Sequence, residues 1–493
     1  MHALDRPEPG RAEAACAAAL AAGAAGLLLV ATTAWGCGLD WDAVEYLSAA
    51  ESLGRGDGWL QVDGKPLTQW APLMSALLAA LHFVGLDFAV ATRALHAAAL
   101  FALVWSVWRL ARRSSGSAGV AAAAAGWLAL LPALHENFTM GWSEPVFLAL
   151  VALALDAGDR YLRAPRAAPL VLCAAWCALA ALQRYLGVAL IAAVAAALVC
   201  ASPGAWTARV RRALVFAAAA AAPLALWCAR NVALCGQPFG PRSAEGAASA
   251  EDSWARTTHT LGEWCATGFE GAHAARLTLF AAALLASAWL VLRRRPLAER
   301  CLLLGFPVLY LAATLSASLS YAQDAIGDRQ LIPLAVAFAL LVAAGLGASR
   351  GRAPAVLATA LLAAHFVWAA PELVRRIQRW RADGAGLYST PVWRESEFSH
   401  WLASARFEGA LASNERHALF ALSGVRAAST PRRAASFAER LMRQPAAPLT
   451  VVWFDLGPRN RFPIELLTPV FEVRTLVAVE GGQVYRVERK AER

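Results

Sequence analysis

Apolar and polar residues alternate along this chain in long blocks rather than with the short period of a soluble amphipathic fold. Alanine- and leucine-rich runs at 14–35, 93–111, 117–134, 143–159, 168–183, 186–201, 213–229, 274–292, 301–317, 330–348 and 354–371 predict eleven transmembrane helices. Short polar segments separate them. A further apolar stretch, 70–86, ends at Asp87 and is read as an interfacial or re-entrant helix. Counting it as a full span would move every later arginine cluster to the opposite side of the membrane.

The tail from 372 onward has no apolar run of that length. It predicts helices at 397–412 and 432–443 and strands at Leu449–Phe454, 470–479 and 483–487, the last two joined at Gly481 and Gly482. The expected architecture is an all-α polytopic membrane domain over 1–371, with extracytoplasmic loops 36–92 and 230–273. A small soluble α/β domain follows over 372–493.

Composition agrees with this pattern. The 493 residues are 59% hydrophobic and 16% charged, against about a quarter charged in soluble domains. The net charge of +10 lies largely in arginine clusters between apolar blocks: 109/112/113, 160/163/166, 209/211/212, 293/294/295 and 350/352. These mark cytoplasmic loops by the positive-inside rule, and they are assigned wholly to topology and anionic lipid. No nucleic-acid role follows from them. Only Lys65 and Lys490 are lysines, and alanine is abundant, which points to a GC-rich bacterial genome. The expected location is the bacterial inner membrane, with the N-terminus cytoplasmic and the tail periplasmic. The first span, lacking a convincing cleavage site, is expected to be retained.

The nine cysteines form no metal-finger spacing. Cys235 and Cys265 share one outward loop and can pair there if it is extracytoplasmic.

The first outward loop carries the most chemistry. It reads Asp40-Trp41-Asp42-Ala43-Val44-Glu45-Tyr46, so Asp42 and Tyr46 share a helix face. A carboxylate there, at the membrane surface, can serve as general base on an acceptor hydroxyl. It can equally cap a solvated interfacial helix. Asp40 can assist Asp42, raise its pKa by like charge, or help hold a cation. A divalent cation such as Mg²⁺ or Mn²⁺ is compatible with the pair and not required by it, so no metal is assigned.

The stretch from Asp42 to Tyr46, followed by Asp63-Gly64-Lys65-Pro66-Leu67-Thr68-Gln69-Trp70-Ala71-Pro72-Leu73, resembles the signature of GT-C fold glycosyltransferases. It is most similar to the branch holding protein O-mannosyltransferases and the lipid A aminoarabinose transferase. Further fragments follow in order. They are Trp142-Ser143-Glu144-Pro145, Gln183-Arg184-Tyr185-Leu186-Gly187, Arg230-Asn231, Gly236-Gln237-Pro238-Phe239-Gly240-Pro241-Arg242 and Asp328-Arg329-Gln330-Leu331-Ile332-Pro333. The sequence departs from the aminoarabinose-transferase branch where that branch has a lysine for the donor phosphate. Trp70 or Ala71 stands there, and Lys65 lies too far back.

The resemblance implies a sugar transferred from a polyprenyl-phosphate donor to a lipid, glycan or protein acceptor on the extracytoplasmic side, with inversion. Asp42, assisted by Asp40, is the expected catalytic residue. Tyr46, Glu144, Arg184, Tyr185, Arg242, Asp328 and Arg329 are the expected substrate-binding set, the three arginines being candidates for the phosphate. Gln323, Asp324 and the loop 244–264 are candidates for the acceptor side or ordinary surface. A polytopic lipid or solute transporter is the alternative from another class, though no internal repeat favours it. A non-catalytic membrane scaffold is another.

Overall fold

The computed structural model describes residues 10–264, 273–322, 324–348, 353–431, 433–443, 448–456 and 462–490. Each of the eleven predicted apolar segments is helical within them. Seven described helices are long and apolar enough to cross a membrane, or eight if one bent pair counts as a single span. That pair, Ala118–Ala129 and Pro132–Thr139, turns by 52°. Pro132 at the start of the second helix explains the break, since its ring displaces the preceding turn and it donates no amide. The stretch read as interfacial forms the helix Leu73–Phe83, whose 11 residues are too few for a bilayer.

The chain forms two compact units, Met1–Ala31 with Thr68–Met74 and Arg93–Arg379, and Thr32–Leu67 with Ser75–Thr92 and Trp380–Arg493. In the first unit the arginine clusters do more than set topology. The helix Glu144–Arg163 buries Asp156 and Asp159 near its C-terminal end. Arg113 reaches both, at 2.5 and 2.8 Å, and Arg160 reaches Asp156 at 3.1 Å. Arg163 bridges Asp159 at 2.8 Å and the buried Glu299. Charges this deep persist because each carboxylate meets several guanidinium donors. Sequence reasoning gave these arginines wholly to lipid and topology, and the buried acids correct that. The clusters' last members, Arg350 and Arg352, lie outside the described residues, as do Gln323 and Cys265 with its proposed pairing.

The second unit is built on a five-stranded sheet. Its strands are β1 (Ala410–Ser413), β2 (Ala428–Ser429), β3 (Leu449–Phe454), β4 (Phe471–Val479) and β5 (Gly482–Arg489), in the order β2-β1-β3-β5-β4. β1 runs parallel to β2 and β3, while β5 is antiparallel to both β3 and β4. Central β3 is buried at all six positions. β4 and β5 form the predicted hairpin, and its turn needs Gly481 because φ there is +96°.

One tail prediction is corrected. The helix expected over 397–412 stops at Ser404, and Ala410–Ser413 is β1 instead. A four-residue segment, three of its side chains small, carries little strand signal of its own, and parallel pairing with β3 decides its state.

The same unit takes in the first loop. Val44 and Val62 are fully buried in a core with Tyr388, Trp393, Phe398, Leu419 and Phe454. The amides of Leu387 and Tyr388 both donate to the Leu39 carbonyl at 2.9 Å. Ser389 hydroxyl donates to the Cys37 carbonyl and accepts from the Leu39 amide.

Candidate active site

Three of the expected site residues meet in the first unit. Glu144 opens the helix Glu144–Arg163, with Pro145 in the first turn, and its side chain is fully buried. Arg184 stands where the helix Ala167–Gln183 breaks into extended backbone before a short 3₁₀ turn. Arg329 lies in the first turn of Asp328–Leu346. Both guanidinium groups pair with the same Glu144 Oε1, Arg329 through Nε at 2.5 Å. Arg329 also stacks over the Trp142 ring at 4.4 Å, and its Nη1 lies 3.5 Å from the exposed Asp324. Gln183 Nε2 donates to the Ser143 carbonyl at 2.9 Å, fixing the two helix ends together.

Two guanidinium groups thus meet one buried carboxylate. Guanidinium forks also match phosphate oxygens in geometry.

Tyr185 and Arg242 form a second constellation. The Tyr185 hydroxyl lies 3.0 Å from the Thr68 carbonyl and 3.2 Å from that of Trp70, sharing its one proton between them. It accepts from Trp227 Nε1 at 3.0 Å, and Asn231 Nδ2 donates to the carbonyls of Thr68 and Pro238. Arg242 donates to the Gln69 carbonyl at 3.2 Å, and Gln69 Nε2 donates to that of Pro241. Gly240 permits this docking. Its φ is +72°, and an added Cβ would sit 2.8 Å from the Gln69 amide nitrogen. Tyr185 and Arg242 therefore hold the segment 68–70 against the loop 238–242.

Asp328 turns away from its neighbour Arg329. Its Oδ1 accepts from Trp264 Nε1 at 2.7 Å, so it fastens the end of the helix Ala250–Glu263.

In the second unit Asp40, Asp42 and Tyr46 sit at the start of the helix Trp41–Gly54. Asp40 is its N-cap, accepting from the Ala43 amide at 3.0 Å. Asp42 is half-buried in the first turn, where the helix dipole favours a carboxylate. Tyr46, on the same face one turn later, is buried.

Sequence reasoning missed the group beside them. Glu45 is fully buried and accepts from the Val62 amide at 3.1 Å and His417 Nε2 at 3.0 Å. Arg416 lies 3.5 Å from Glu45 and bridges to Asp63 at 3.1 Å. Partial burial works against the charge on Asp63. Hydrogen bonds from the Lys65 ammonium and amide, with Arg416, outweigh it and hold that carboxyl below the usual range. Nothing in the spacing pairs residue 45 with residue 417, so no sequence signal announces the group. Among the described residues no three His, Cys, Asp or Glu side chains gather as metal ligands.

No family model matches the sequence, and no curated protein does. Among solved structures the chain is similar to ArnT from Cupriavidus metallidurans bound to undecaprenyl phosphate. The TM-score is 0.64 at 12% identity, over 95% of this chain and 97% of that one. Against ArnT of the same organism in the apo state it is 0.65 at 14% identity, with the same coverage. The chain is a multi-pass membrane protein with the GT-C fold.

Proposed function

We propose that this protein is a glycosyltransferase that moves a sugar from a polyprenyl-phosphate carrier to an acceptor hydroxyl on the extracytoplasmic face of the bacterial inner membrane. One observation carries the reading. Arg184 and Arg329 converge on the buried Glu144, in a fold shared over nearly its whole length with a protein solved with undecaprenyl phosphate bound.

The reaction is a single displacement at the anomeric carbon. The acceptor oxygen forms its bond to that carbon as the bond to the carrier phosphate breaks. The acceptor proton passes to Asp42, with Asp40 fixing the helix turn that carries it. The departing lipid phosphate, one negative charge richer, is held by Arg184 and Arg329, which are preorganised by Glu144. Tyr46, Tyr185, Arg242 and Asp328 complete the proposed substrate-binding set. A single displacement inverts the anomeric centre. The acceptor is a lipid, glycan or protein, and the transferred group a hexose or pentose.

On the proposed eleven-span topology the N-terminus lies in the cytoplasm and the tail, 372–493, outside. A periplasm-active reporter fused after Arg493 tests that placement, and a silent one refutes it. The function itself is tested by incubating purified protein with radiolabelled undecaprenyl-phosphate hexoses and pentoses and a membrane extract. Label transferred with inverted configuration by NMR is expected. A product of retained configuration overturns the single displacement, and no transfer from any such donor overturns the function.

A further inference from the structure

The helix that bears Asp42 is gripped from the C-terminal end of the chain. Three donors converge on Glu45, three residues after Asp42 on the same helix: the Val62 amide, His417 and Arg416. One turn further on, Arg426 Nη2 donates to the Ser48 carbonyl at 3.0 Å and its Nε to the Ser48 hydroxyl at 3.3 Å. The Ala427 amide donates to the Val62 carbonyl. His417 and Arg416 open the helix Arg416–Ser423 directly after β1, so the donors stand at the carboxyl ends of parallel strands. Soluble α/β domains bind ligands in that position. Here the occupants are the chain's own Glu45 and Asp63.

We infer that Glu45, held by His417 and Arg416, is a positioning residue that fixes the helix carrying Asp42 for proton transfer. The inference rests on the reading of Asp42 as base. Glu45 is fully buried, so it works through the helix and not by touching the acceptor. Misplacing a catalytic group by about 1 Å can cost about a hundredfold in rate. The clamp therefore acts on kcat and leaves donor KM nearly unchanged.

Transfer is measured for wild type, Glu45→Gln, Asp42→Asn and the double variant, with radiolabelled undecaprenyl-phosphate sugar and incubations long enough to quantify residual turnover. The glutamine keeps the shape and the Val62 bond but loses the charge. Glu45→Gln should lower kcat about tenfold or more, with donor KM within about twofold. In the Asp42→Asn background the same change should cost under about twofold, because there is no base left to position. An equal loss in both backgrounds means a general structural role and overturns the inference. Glu45→Gln turning over like wild type, while Asp42→Asn is impaired, overturns the inference alone. Asp42→Asn turning over like wild type overturns the base reading and this inference with it.

A readout independent of turnover is hydrogen exchange in full-length protein. His417→Ala should speed exchange across Trp41–Gly54 while His417→Gln, which keeps a donor, restores part of the protection. Unchanged exchange in His417→Ala overturns the clamp.

Discussion

Replacing Glu144 by alanine removes the carboxylate that two guanidinium groups share, and its effect can be worked from the structure. Glu144 is fully buried, while the Arg184 and Arg329 side chains keep 18% and 14% of their exposure. Breaking a buried pair by deleting one partner costs about 3–5 kcal/mol, because the surviving charge is left uncompensated. Here two cations lose a shared carboxylate, but Arg329 keeps Asp324 and the Trp142 ring and both keep a solvated edge, so the lower end applies, about 3 kcal/mol. Unfolding entropy near 2.1 cal/mol/K per residue amounts to roughly 1 kcal/mol/K for a chain of this length. Tm in detergent, followed by tryptophan fluorescence, should fall by about 3 °C. Removing one of the two cations as well, in Glu144→Ala with Arg329→Ala, should recover part of that fall, with a coupling of about 1–3 kcal/mol. A Glu144→Ala protein melting within about 1 °C of wild type would refute the reasoning. So would additive effects in the double variant.

Three further outcomes follow from the same geometry. Tyr185→Phe removes an acceptor from Trp227 Nε1 and a donor shared by the Thr68 and Trp70 carbonyls and should cost about 1–3 kcal/mol, seen as faster hydrogen exchange over 66–72 and 236–242. Gly240→Ala forces a side chain into left-handed backbone and into the Gln69 amide. Trypsin should then cut after Arg242 faster than in wild type, and an unchanged rate would contradict the docking. Asp63→Asn should cost about 1–2 kcal/mol at neutral pH. The Asp63 carboxyl is held below its unfolded value, so its contribution is present above about pH 3.9 and is lost as pH falls through the folded value. The gap between wild type and Asp63→Asn should hold constant from about pH 5 to 8 and close below about pH 4.

The membrane part was legible because its signal is local. A run of apolar residues bounded by arginines specifies a helix without reference to distant partners, as at Trp206–Cys235 and Leu297–Ser320, although both helices run several residues past the predicted 213–229 and 301–317. The fragments around Glu144, Arg184 and Arg329 were legible as motifs, and the structure brings these three together on one carboxylate oxygen. Roles set by long-range pairing were not. Asp328 and Arg329 are adjacent in sequence, yet one turns to Trp264 and the other to Glu144. Arg242, a phosphate candidate by sequence, also donates to the Gln69 carbonyl, a contact no spacing reports. Asp156, Asp159 and Glu299 attracted no notice inside or beside apolar runs, because only the packed bundle shows which arginines neutralise them. Strand β1 and the partnership of Glu45 with His417 depend on residues far apart in the chain, and neither periodicity nor spacing reports such contacts.

The central claim is that Asp42 takes the acceptor proton during transfer from a lipid-phosphate sugar. It is tested most directly by comparing wild type and Asp42→Asn, at matched expression and matched Tm, for transfer of labelled sugar from an undecaprenyl-phosphate donor. The account predicts a loss of at least about a hundredfold in kcat, with the donor still bound. Transfer by Asp42→Asn at the wild-type rate would contradict it.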